Sequence, residues 1–234
     1  MTLRLHGSPD SANLVIRIAL EELGLRFAPV RVDRARGEHK TPEYLKLNPQ
    51  GLIPVLEDGE VVLFETGAIL LHLADRTGRL GPDGPAADDP QARAAFLKWL
   101  FYLSNTLHAD LRVGFYSDRY VAAEHVPALR DGLAARLKGH LAMLEGVLAP
   151  TGWLVAATPT LADFYLAVCL RWAQIYPSGR PLLAGIAGFP RLEALLQVVE
   201  ARPATRRACA AEAIPGRPFT EPEPPDLPVE QVTG

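Results

Sequence analysis

The sequence has only two cysteines in 234 residues, Cys169 and Cys209, and they share no metal-ligand spacing. That argues against a disulfide framework and against a thiolate-built metal centre. It also has no basic excess. Lys and Arg number 24 against 27 Asp and Glu, a formal charge of −3, so no face suited to nucleic acid is implied. No apolar run approaches the ~20 residues that cross a bilayer. The opening Met-Thr-Leu-Arg-Leu-His lacks the apolar core of a secretion signal, and no internal repeat is visible. Hydrophobic residues at 48% and charged ones at 22% are ordinary for a globular chain with a sizeable core. The expectation is a soluble cytoplasmic protein of one large or two modest domains, with no metal, membrane or nucleic-acid partner.

What is present centres on Leu47 to Asp75. Two short apolar runs, Ile53 to Leu56 and Val61 to Phe64, flank Glu57-Asp58-Gly59-Glu60. Asp-Gly between such runs signals a hairpin. Pro54, near the start of the first run, is compatible with an edge strand, where its missing N–H is tolerated. After Glu65-Thr66 a helical pattern begins, with Ile69, Leu70 and Leu73 on one face. The backbone of Ile53 is then open to an extended ligand. Exposed amides near Thr66 favour an anion, and Glu65 beside them favours a cation. A ligand with a carboxylate, an ammonium and a peptide backbone fits these parts.

Asn-Pro-Gln-Gly-Leu-Ile-Pro-Val-Leu (48–56) followed by Phe-Glu-Thr (64–66) resembles the glutathione-binding signature of the soluble glutathione transferases. The resemblance implies a cis Pro54, with Ile53 pairing its main chain with the cysteinyl part of glutathione. Glu65 and Thr66 then hold the γ-glutamyl end. Relatives often carry Lys after Asn-Pro-x-Gly; here Leu52 stands, so Gln50, His39 or Lys40 is left for the glycine end. Trp99 to His108 resembles a helix of the beta-class bacterial enzymes that lines the active cleft, which carries a role onto His108. Those enzymes have a cysteine in the first loop. This loop has none, which argues against mixed-disulfide chemistry.

The rest of the chain agrees with a thioredoxin-like domain followed by an all-helical one (α/β + all-α). A strand at Leu3 and Leu5, a helix ending at Gly24 and a strand from Phe27 to Val32 make a βαβ unit. Thr41 and Pro42 start a short helix. The expected boundaries are residues 1–80 for the glutathione-binding domain, 81–90 for a Gly/Pro/Asp linker, 91–214 for the helical domain and 215–234 for a Pro-rich tail. Helical stretches run from Gln91 to Tyr120, broken near Gly114, and from Pro127 to Leu148, with Leu133, Leu137, Leu141 and Leu144 in one stripe. Thr160-Leu161-Ala162-Asp163 reads as a variant capping box of structural value.

A glutathione thiol with a pKa near ~8.5 is only about 3% thiolate at pH 7. Lowering it by about two units takes ~2.7 kcal/mol, within reach of one or two hydrogen bonds to the charged sulfur. The donor belongs where the first strand meets the first helix, and Ser8, Ser11 and Asn13 are the candidates. An ungapped comparison with related sequences brings Ser11 onto the activating serine of serine-type transferases; its other role is to cap the helix. Tyr116 is a candidate for the pocket of a small hydrophobic electrophile. The expected activity is conjugation of glutathione, a co-substrate, to such electrophiles by a homodimer. Alternatives are a glutathione-dependent isomerase or dehalogenase, although the first loop lacks the Ser-Ser-Cys of isomerases, and a weakly catalytic glutathione-binding protein.

Overall fold

Alternation at Leu3 and Leu5 buries both side chains in the first strand, β1 (Leu3–Gly7). Helix α1 (Asn13–Leu23) buries Leu14, Ile18 and Leu23 and stops at Gly24, whose left-handed φ of 68° suits a residue without Cβ. β2 (Phe27–Arg31) returns parallel to β1, with Leu3 opposite Phe27. Thr41 accepts the Tyr44 N–H at the start of α2 (Pro42–Leu45). β3 (Val55–Asp58) and β4 (Val61–Phe64) pair through the turn Gly59-Glu60, and α3 (Thr66–Thr77) follows at once. The sheet order is β2-β1-β3-β4.

The sheet order corrects one expectation. β3 is an internal strand between β1 and β4, not an edge. Pro54 is tolerated because the ladder begins one residue later, at Val55, which faces His6 on one side and Phe64 on the other. The Ile53–Pro54 peptide is cis.

The computed structural model describes residues 2–82, 89–148 and 150–227. Most of the expected linker (83–88) and the last residues of the expected tail (228–234) lie outside that range. The chain divides into two units. The first comprises Met1–Arg79, Arg202–Gly216 and the stretch from Glu223 on; the second comprises Leu80–Ala201 and Arg217–Pro222.

The second unit is helical. α4 (Pro90–Tyr102) is capped by Asp89, which accepts the Gln91 N–H at 2.9 Å. A π-wound turn, Leu103–Leu107, joins it to α5 (His108–Phe115), which ends one residue past Gly114. α6 (Val126–Val147) buries the stripe Leu133, Leu137, Leu141 and Leu144. α7 (Leu161–Ile175) is buried along nearly its whole length, and α8 (Pro190–Ala201) follows. Residues 217–222, within the expected Pro-rich tail, are held in the second unit. Phe219 is fully buried, Arg171 donates to the Pro218 carbonyl at 2.7 Å, and Glu200 accepts the Phe219 and Thr220 N–H groups at 3.0 Å each.

The last helix, α9 (Pro203–Ala211), departs from the expected boundaries, for it belongs to the first unit. Its partner there is α1. Arg202 makes a two-pronged ion pair with Glu22 at 2.6 and 2.8 Å, and Arg207 reaches Glu21 at 2.9 Å.

At the start of α7 the buried Asp163 carboxylate accepts the Leu154 N–H at 2.8 Å, the Thr160 N–H at 2.7 Å and the Thr160 hydroxyl at 2.8 Å. Asp163→Ala strands three buried donors, at a cost of about 3 kcal/mol. In a chain of this size that lowers the melting temperature by roughly 6–12 °C in calorimetry. Asp163→Asn, which retains one acceptor, should lose less. A drop under about 2 °C for the alanine variant would remove this motif from the stability of α7.

Candidate functional site

The register brings three loops to one end of the sheet. β1 ends there at Gly7, β3 begins there after Pro54, and β4 ends there before Glu65. His6 faces Val55 and Val55 faces Phe64, so the next row holds Gly7, Pro54 and Glu65. The first loop, the turn before Pro54 and the opening of α3 therefore converge within the first unit.

In the first loop the Ser8 hydroxyl is spent on the Val32 carbonyl at 2.6 Å, tying the loop to the end of β2. Ser11 is half-buried. Its hydroxyl lies 2.8 Å from the Ser8 carbonyl and within a short hydrogen bond of Asn13 Oδ1, two acceptors for one proton. No side chain caps α1, so a capping role for Ser11 is not what the loop uses it for. Asn13 is buried with its carboxamide fixed at both ends. Oδ1 accepts the Ser8 N–H at 3.0 Å, and Nδ2 donates to Glu212 at 2.7 Å. The Ser8 N–H can only donate, which decides which way the amide is turned.

Glu212, just past α9, is buried against this loop. Oε1 also accepts from Arg17 Nε at 2.9 Å, and Oε2 accepts the Asp10 N–H at 2.8 Å. Burial raises its carboxyl to about 7, against the lowering influence of Arg17 and the Asp10 amide. Arg17 also lies over the Phe27 ring, 5.4 Å from its centre. Asp10 itself holds a positive φ of 49°, sparsely populated for a residue with a side chain.

Across the row, Ile53 is half-buried and lies outside the ladder. Glu65 opens α3 with φ at 72°, a conformation that costs about 1–3 kcal/mol and survives only where its surroundings impose it. Its exposed carboxylate accepts from Gln50 Nε2 at 3.2 Å. Thr66, the first residue of α3, is buried among the helix-start amides. Lys40 donates to the carbonyls of Gln50 and Gly51 at 3.2 and 3.1 Å, drawing the charged loop onto the turn before Pro54. Gly51 admits this approach, since a Cβ there would lie 2.7 Å from the His39 carbonyl. Ser11, Asn13, Ile53, Pro54, Glu65, Thr66, Gln50, His39 and Lys40 are thus all parts of the first unit.

His108 and Tyr116 belong to the second unit. His108 Nδ1 lies 2.7 Å from the Tyr165 hydroxyl, and its ring centre is 5.1 Å from that of Trp172. Burial, followed by the charge of Arg112, lowers its pKa to about 4, so the imidazole is neutral near pH 7. Tyr116 ends α5 with the Arg119 guanidinium 4.3 Å above its ring. Among the described residues no cluster of His, Cys, Asp and Glu forms a metal site. No helix there is long and apolar enough to cross a membrane.

Sequence reasoning missed Glu212 and Gly7. A glutamate set among Ala210, Ala211, Ala213 and Ile214 hints at burial, but nothing in the sequence names its partners. Gly7 gives no local signal, yet a Cβ there would lie 2.3 Å from Asn13 Cγ.

Residues 1–75 match the family described as "Glutathione S-transferase, N-terminal domain", and residues 127–197 match "Glutathione S-transferase, C-terminal domain". Glutathione S-transferase 3 of Zea mays is 35% identical over 231 residues, covering 92% of this chain and 97% of its own. A maleylacetoacetate isomerase of Pseudomonas aeruginosa is 29% identical over 205 residues, covering 86% and 91%. A solved sphingomonad glutathione S-transferase, complexed with glutathione, superposes with a TM-score of 0.72 at 29% identity, covering 89% of this chain and 98% of that one.

Gly7→Ala must push the buried Asn13 carboxamide aside. Overpacking of this kind costs about 1–3 kcal/mol, and the melting temperature should fall by roughly 2–12 °C. Gly24→Ala, where a Cβ meets nothing within 4 Å but φ is positive, separates conformational strain from collision. Unchanged melting of Gly7→Ala would show that the loop yields without cost.

Proposed function

The chain belongs to the glutathione S-transferase family, and from that premise we propose that it conjugates the glutathione thiolate to small apolar electrophiles. One observation carries the reading. The Ser11 hydroxyl, the main chain of Ile53 before Pro54, and the Glu65-Thr66 opening of α3 share one end of the sheet. In the reading, Ile53 pairs with the cysteinyl backbone of glutathione. The α3 amides and Thr66 take the γ-glutamyl carboxylate, and Glu65 takes its ammonium. Lys40, with Gln50 and His39, serves the glycine end.

Ser11 donates to the sulfur. Its resting acceptors are two neutral carbonyl oxygens, and a charged thiolate competes for the same proton with a bond roughly twice as strong. Asn13, with its amide turned toward Glu212, is better suited to shaping the loop than to donating. His108 and Tyr116 are assigned to the electrophile, and the neutral state of His108 fits an apolar partner better than an anion. The active form is proposed to be a cytoplasmic homodimer.

The test is the thiol titration of bound glutathione with the conjugation rate. The wild-type complex should ionise about two units below the free thiol. Ser11→Ala should move that pKa upward and lower kcat/KM for an aryl halide at least about tenfold, the loss of one hydrogen bond of roughly 1.4 kcal/mol. Its glutathione affinity should stay nearly constant. If glutathione binds the wild type with an unshifted thiol, the conjugating reading fails and a binding protein takes its place.

Glu65→Ala and Thr66→Ala should each weaken glutathione binding about tenfold by calorimetry, as loss of a charged hydrogen bond does; retained affinity takes them out of the site. The relative named as a maleylacetoacetate isomerase favours a second reading, isomerisation through glutathione. Turnover of a cis-olefinic diketo acid with no net consumption of glutathione would establish it.

A further inference from the structure

A single carboxylate reaches the first loop from the far end of the chain. Glu212 accepts the Asp10 N–H on one flank of Ser11, and Asn13 Nδ2 and Arg17 Nε on the other. These three donors bracket the serine in sequence, and the carboxylate that joins them is 2% exposed. Asp10 sits in a left-handed conformation that its side chain disfavours, and the bond from its N–H to Glu212 offsets that cost. The Asn13 carboxamide cannot turn over, because the Ser8 N–H holds Oδ1 while Glu212 holds Nδ2. That fixed Oδ1 is one of the two atoms locating the Ser11 hydroxyl.

We propose that Glu212 is a positioning residue for the thiolate donor Ser11, clamping the first loop from both flanks so that the hydroxyl sits where the sulfur binds. The proposal rests on Ser11 as the donor. A displacement on the order of 1 Å is enough to forfeit much of an oriented interaction. The carboxylate therefore acts on the chemistry without touching substrate.

Glu212→Gln keeps the size of the side chain. It replaces one acceptor oxygen by an NH2 group, so one of the three donors must face another donor. The experiment is a double-mutant cycle of Glu212→Gln with Ser11→Ala, read as thiol pKa of bound glutathione and as kcat/KM. In the wild-type background Glu212→Gln should raise the thiol pKa and lower kcat/KM about three- to tenfold, with glutathione affinity within about twofold. In the Ser11→Ala background the same change should move both by less than about twofold.

Asn13→Ala, which leaves Glu212 with Asp10 and Arg17, should reproduce the thiol shift; it also supplies the test if Glu212→Gln does not fold. A lowered melting temperature with an unshifted thiol pKa overturns the proposal and leaves Glu212 purely structural. An undiminished effect in the Ser11→Ala background overturns the route through the serine. If Ser11→Ala alone leaves the thiol unshifted, the donor assignment is what has failed, and the clamp loses its object.

Discussion

Val55 is paired on both sides, to His6 and to Phe64, and this double pairing sets the geometry on which the candidate site depends. A strand held from both sides cannot slip by a residue without turning Leu56 out of the core and breaking two ladders. With that register fixed, the residues just beyond it have no freedom about which neighbours they meet. Gly7, Pro54 and Glu65 become one row, and the loops they begin or end become one surface. Loops separated by some fifty residues in sequence are brought to one end of the sheet by a strand alignment.

Around that row the backbone is repeatedly held in unfavourable conformations. Asp10 and Glu65 adopt positive φ although both carry side chains, and Gly51 adopts it where a Cβ would strike a carbonyl. Such positions persist only where the surroundings impose them. Here the surroundings are identifiable: a buried carboxylate at Asp10, a helix start at Glu65, and the Lys40 ammonium beside Gly51. The second unit handles its polar groups differently. Asp163 and Glu200 are each satisfied by nearby backbone donors and serve to hold α7 and the strap at 217–222.

Much of this was legible in the sequence because it is local. Asp-Gly between apolar runs gave the hairpin, Thr41-Pro42 the short helix, and the leucines of α6 their buried face. The signature around Pro54 named its candidate binding residues only through resemblance. Strand order was not legible, since nothing near Pro54 shows that β3 will acquire a second neighbour in β1. The division of the chain was missed for a similar reason. α9 reads like any helix of the second half, and its packing against α1, with ion pairs to Glu21 and Glu22 about 180 residues away in sequence, assigns it to the first unit. Glu212 and Gly7 matter through close approach to Asn13, and proximity across such separations leaves no periodic trace.

The return of α9 to α1 has a consequence for biosynthesis. The first 79 residues leave the ribosome with the sheet complete, but the first loop still lacks the acid that binds Asp10, Asn13 and Arg17. That acid arrives only after more than two hundred residues have been translated. Until then the nascent unit presents an incomplete loop and an uncovered face of α1, so the loop is completed only after the whole intervening helical unit has been translated.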